Sequence, residues 1–202
     1  MATKKKAKAR KPAKKPAKKP AKRAARRPAS RQAAPHPAAG PGPKQQFLDA
    51  FRKEMATTRR VLAAYPADQG EFRPHPRSNS AKQLVWTFTQ EMMLASTAAK
   101  GPLNLSGNLP PAPTTFGEVL ATFEKGVADA EATISKMPES RMAGTVKFFT
   151  APRQVGDVPV GQFFWFMLCD HIHHRGQLSV YCRMAGGKVP SIYGPSADEP
   201  WM

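Results

Sequence analysis

The residues most able to do chemistry lie in one stretch, DHIHHRGQ, at positions 170–177. Three of the chain's five histidines fall within four consecutive positions there, flanked by an aspartate, an arginine and a glutamine. Imidazole nitrogens and carboxylate oxygens are the donors that hold first-row divalent metals. Residues i and i+4 of a helix share a face. Asp170 and His174 have that spacing, so the pair could hold one ion. It suits an ordinary Asp–His salt bridge equally well. His171 and Arg175 point about 100° around the helix, and His173 lies on the opposite flank. His173 is therefore expected to reach a neighbouring helix or to orient a ligand. The stripe through Asp170 runs Phe163, Met167, Asp170, His174, Gln177 and Tyr181, apolar first and polar after.

Such a site needs a helix to carry it and other helices to face it. The carrier is read as the run from Val160 to Gly186. Phe47, Phe51, Met55, Thr58 and Leu62 recur at helical spacing and predict a first helix over Lys44–Tyr65, stopped by Pro66. A polar loop follows to Asn79, and its His75, between two prolines, reads as a loop residue rather than a ligand. Ser80-x-x-Gln83 is a capping box that opens a second helix reaching Gly101. Thr115-x-x-Glu118 is another, opening a third helix that ends near Met137 before Pro138.

Thr145–Phe149 and Val155–Val158 read as two short strands of an irregular hairpin, with Pro152 in the turn. Beyond Gly186-Gly187, an extended segment should pack back on the helices. These elements predict an all-α fold, a four-helix bundle with its ligand site between facing helices. Trp86, Phe164 and Trp165 read as core residues. Their alternative use is a homodimer through apolar helix faces.

Composition separates a second part. The chain has a formal charge of +18, but residues 1–43 carry 15 of the 32 Lys and Arg and no acid. The remainder has 17 basic and 14 acidic residues, or +3. The first part repeats KPAK three times at 11–22 and has almost nothing larger than Ala to bury, so it is expected to be a disordered tail. Lys11, Lys14, Lys15, Lys18, Lys19, Lys22, Arg23, Arg26 and Arg27 would release counterions from nucleic acid without reading bases. The alternatives are a solvated tail without a partner, or an anionic membrane surface.

The tail lacks the apolar core of a secretory signal, and its prolines oppose an amphipathic presequence helix. No apolar run is long enough to span a membrane. Cys169 and Cys182 lie roughly 20 Å apart on one helix and cannot bridge, which suits a reducing, cytoplasmic setting, with nucleoid association through the tail. The domains are thus 1–43 and 44–202.

The run DHIHHRGQLSVYCRMAGGKVPSIYGPSADE resembles the C-terminal signature of the DinB/YfiT-like family of bacterial helical bundles, distinct from the DNA polymerase sharing the DinB name. The residues that carry it are His173-His174-Arg175-Gly176-Gln177, Tyr181, Gly186, Val189-Pro190 and Tyr193-Gly194. With the first helix and the PHPR loop, the resemblance covers residues 44–202. It implies a four-helix bundle holding a divalent ion, nickel or zinc, on one ligand from the second helix and two from the fourth. Those positions fall on Thr87, Asp170 and His174. Glu91, one turn beyond Thr87, can supply the missing donor. His171, His173, Arg175, Gln177 and Tyr181 would then orient the ligands. Thiol-dependent transferases within the resemblance imply a transferase or hydrolase that uses a low-molecular-weight thiol. A degenerate site on a non-enzymatic, nucleic-acid-associated bundle is the alternative.

Overall fold

A computed structural model describes residues 40–107 and 109–202. The expected tail, with Lys11, Lys14, Lys15, Lys18, Lys19, Lys22, Arg23, Arg26 and Arg27, lies outside the described residues up to Gly40. Four helices follow in order: α1 (Pro43–Ala64), α2 (Ala81–Lys100), α3 (Phe116–Lys136) and α4 (Val160–Met184). Between α3 and α4 a two-stranded antiparallel sheet is inserted, β1 (Thr145–Ala151) and β2 (Gln154–Pro159). Among the described residues no helix is long and apolar enough to cross a membrane.

Local chemistry sets the helix starts. Both expected capping boxes form: Ser80 Oγ accepts from the Gln83 N–H at 3.2 Å, and Thr115 Oγ1 from the Glu118 N–H at 3.2 Å. α1 begins one residue earlier than expected, with Pro43 in its first turn, where proline loses no helical bond. Its cap comes from far away: Glu139, 95 residues on, accepts from the Lys44 N–H at 3.0 Å. Lys44 in turn donates to the Met137 carbonyl, 2.7 Å away, at the end of α3. Arg141 donates to the carbonyls of Ala98 and Gly101 at the end of α2. Glu139 and Arg141 sit in a short 3-10 turn, Glu139–Ala143, that ties three helix ends together.

The core is aromatic. Phe47 stacks on Phe164 at 5.2 Å between α1 and α4, and Phe88 meets Phe123 edge-on at 6.0 Å between α2 and α3. Each such buried ring contributes roughly 1.5–3 kcal/mol. Trp86 and Phe164 are core residues as expected, but Trp165 is not. It stands 42% exposed at the edge of Phe47, because α4 turns Phe163 and Phe164 inward and leaves Trp165 on the flank. The strands run longer than expected, to Ala151 and from Gln154. Arg153 makes the turn with a φ of 62°.

The tail end of the chain, residues 187–201, is an extended strap over α1 and α4. Asp198 accepts from the Val189 N–H and pairs with Arg183. Glu199 accepts from the Ser191 N–H at 2.8 Å and from Arg60 at 2.5 Å. Trp201 donates its indole N–H to Ser191 Oγ at 2.8 Å.

Candidate metal centre

The rotation of α4 decides the site. Its buried stripe runs Phe164, Leu168, His171, Arg175, Leu178 and Cys182, so the helix turns one imidazole and one guanidinium into the core. Asp170 and His174 lie at the edge of that stripe, partly exposed. Sequence spacing had put the inward face on Asp170 and His174 instead. The two stripes differ by one position: Phe163 and Met167 of the first are buried as well, but from residue 170 onward only the second is.

Glu91 projects from α2 into the gap and is 3% exposed. Its carboxylate lies between two rings: Oε1 is 2.8 Å from Nδ1 of His174, and Oε2 is 3.0 Å from Nδ1 of His171. A carboxylate only accepts, so both rings donate from Nδ1. That leaves Nε2 of His174 facing Asp170 Oδ1 at 4.0 Å. One donor atom from each of Glu91, Asp170 and His174 lies within 4.8 Å of the others. The hydrogen bond to Glu91 raises the His174 pKa, against the opposing effect of burial.

His171 is fully buried between aromatic rings, with Phe88 4.6 Å away and Phe123 stacked at 6.0 Å and 7°. Both its nitrogens are engaged, Nε2 with Thr58 Oγ1 at 2.9 Å, so it orients Glu91 and offers no free lone pair. Thr58 Oγ1 also accepts from Arg175 Nη1 at 3.3 Å. Arg175 Nη2 donates to Glu54 Oε2 at 2.7 Å and to the Tyr193 hydroxyl at 2.6 Å. Tyr193 donates to the same Glu54 oxygen at 2.6 Å. Burial first, then the Glu54 carboxylate, pushes the Tyr193 hydroxyl above its usual pKa and keeps it a donor.

The other expected residues lie apart from this cluster. His173 is exposed and bonds Gln177 of its own helix at 2.9 Å, not a neighbouring helix, because its side of α4 faces outward. Tyr181 donates to the Asn79 carbonyl at 3.1 Å and packs on Phe72. Thr87 turns its hydroxyl to the Gln83 carbonyl at 3.3 Å on its own helix. His75 accepts from the Arg77 N–H in its loop. Both cysteines are free. Glu54 and Thr58, which carry the buried network, were not singled out as site residues from sequence. The only trace of them was a threonine at a core position of the first helix.

The DinB superfamily model matches residues 50–178, from α1 through the histidine stretch. Over 42 residues the chain is 45% identical to the uncharacterised protein YrdA of Bacillus subtilis, a match that spans 25% of that relative's length and 21% of this chain. A solved DinB-like protein from Bacillus cereus superposes with a TM-score of 0.62 at 20% identity, covering 74% of this chain and 97% of that one. The DinB-like protein YjoA from Bacillus subtilis superposes with a TM-score of 0.58 at 18% identity, over 78% and 99%. These two show the shared fold. With the family match covering well over half of its length, the chain belongs to the DinB superfamily.

Proposed function

We propose that this protein binds a divalent transition-metal ion between α2 and α4. Asp170 Oδ1 and His174 Nε2 are the donors, and Glu91 holds the His174 ring. The observation that carries the reading is the 4.0 Å separation of those two donor atoms. Two ligands each about 2.0–2.2 Å from a shared ion stand at such a distance or slightly closer. The mixed imidazole and carboxylate set suits nickel or zinc. A carboxylate behind the imidazole is the usual support for a metal-bound histidine. We give Glu91 that supporting place because its Oε1 accepts from the Nδ1–H of the ring that offers Nε2 to the ion; its remaining lone pairs also keep it within reach as a third ligand.

An ion held there would lower the pKa of a thiol or water in its open position. The reaction class we infer is thiol-dependent transfer or hydrolysis. Elemental analysis of full-length protein purified without a polyhistidine tag tests the metal. One equivalent of nickel or zinc, lost in His174→Ala, is expected; absence of any stoichiometric ion after exposure to both metals sinks the reading.

A second reading rests on a separate observation, the 15 Lys and Arg without an acid in residues 1–43. It makes the tail an electrostatic tether to nucleic acid. Binding by the full chain should weaken steeply as salt rises from 50 to about 200 mM. Equal affinity for a variant with the tail lysines changed to glutamine rules it out.

A further inference from the structure

The Glu91 carboxylate must be aimed to hold His174, and side chains from two other elements do the aiming. The hydrogen-bond roles fix a direction. Glu91 accepts from Nδ1 of His171, so in the neutral ring Nε2 of His171 is an acceptor. The Thr58 hydroxyl has one hydrogen and two acceptors in reach, that nitrogen at 2.9 Å and the Glu54 carbonyl at 3.0 Å. The carbonyl also accepts from Arg175 Nη1 at 3.0 Å, whereas the buried Nε2 has no other donor among the described residues, so the hydrogen goes to His171. The oxygen of Thr58 can then accept from Arg175 Nη1. Arg175 is 1% exposed and is itself gripped by Glu54 and the Tyr193 hydroxyl. Donation therefore passes one way, from guanidinium to hydroxyl to imidazole to carboxylate. Such a chain polarises its members, and each bond strengthens the next.

We propose that the C-terminal strap sets the metal affinity of the Asp170–His174 site through this chain: Tyr193 and Glu54 fix Arg175, and Arg175, Thr58 and His171 hold the Glu91 carboxylate that orients His174. The inference rests on the metal reading above. Tyr193, Thr58 and Arg175 touch neither donor atom and are positioning residues. Their effect reaches the ion through the His174 tautomer. With Glu91 held, the Nδ1–H of His174 is fixed and the Nε2 lone pair faces Asp170. With Glu91 free to rotate, a share of the protein presents an N–H to Asp170 and must rearrange before it binds. The strap enters because Tyr193 lies on it, and Ser191, two residues away, is pinned to Glu199.

The test is a competition titration of full-length protein with zinc and a chromogenic chelator, well below the melting temperature. Groups that orient a metal ligand change affinity by about 10- to 100-fold. Thr58→Val, which keeps the shape and removes the hydroxyl, should weaken zinc about tenfold. Thr58→Ser restores the hydroxyl and should stay within about twofold of wild type. Tyr193→Phe, at a residue 61% exposed, should cost roughly threefold or more, as the end of the same chain.

Long-range nitrogen–proton spectra of the metal-free protein give an independent readout. They should show Nδ1–H at His171 and His174 in wild type and Thr58→Ser, and mixed tautomers in Thr58→Val. A merely structural threonine would lower the melting temperature and leave both readouts alone. Wild-type affinity and tautomers in folded Thr58→Val and Tyr193→Phe overturn the proposal while the metal site stands. If Thr58→Val does not fold, Tyr193→Phe decides by the same titration. A wild-type protein that binds no zinc or nickel removes the site and its control together.

Discussion

Nε2 of His174 faces Oδ1 of Asp170 at 4.0 Å, one helical turn apart on α4. Both side chains are partly exposed, and among the described residues Asp170 has no bond to a buried group, while His174 also donates to buried Glu91. Asp170→Ala and His174→Ala should each lower zinc or nickel affinity by at least about 100-fold, and the metal-free Asp170→Ala protein keeps its stability within roughly 1 kcal/mol. His174→Ala also strips a partner from buried Glu91 and should cost about 1–3 kcal/mol. Chelator competition measures the first, and urea unfolding of the stripped protein the second. A large stability loss with unchanged metal content would make the pair a structural salt bridge.

Arg175 behaves oppositely. It is buried against Glu54, and removing one partner of such a pair leaves an uncompensated buried charge. Arg175→Met should destabilise the metal-free fold by about 3–5 kcal/mol. Adding Glu54→Leu should recover much of that, because the double variant buries no lone charge. Denaturant midpoints of the four proteins form the cycle that checks it.

The strap should release in acid. The Arg183 guanidinium holds Asp198 below the usual carboxylate pKa, and the Ser191 N–H, with Arg60, does the same for Glu199. A pKa lowered by docking means that docking is favoured above the ordinary carboxylate value and lost as pH falls through the lowered one. The docked Trp201 indole signal should therefore be constant from neutral pH to about 4 and disappear below it. Asp198→Asn should weaken docking at neutral pH and flatten the acid transition. An indole signal unmoved down to pH 2 contradicts this.

Gly187 lets the strap leave α4 at close range. A Cβ there would stand 2.6 Å from Cys182 Sγ and 2.7 Å from the Ala64 carbonyl, which is backbone and cannot step aside cheaply. Gly187→Ala should cost about 1–3 kcal/mol in denaturant unfolding. Gly176, with open space around its Cβ position, should accept Ala at little or no cost.

Much of the bundle was legible because its punctuation is local. Ser80 and Thr115 start helices with their own side chains, and Pro66 and Pro138 follow the ends of α1 and α3. Trp165 shows the limit: its neighbours Phe163 and Phe164 are equally apolar, and only the contact surface of α1 decides which of the three faces out.

The sequence by itself determined the four helices, the family signature and the adjacency of Asp170 and His174, because spacing along one helix fixes the directions of its side chains relative to each other. The tertiary structure decided how α4 is rotated about its axis, and so which polar residues were buried. His171 and Arg175 went inside because Glu91, Thr58 and Glu54 arrive from α2 and α1, 80 to 121 residues away in the chain, to satisfy them. Those pairings depend on helix packing, which no local spacing records.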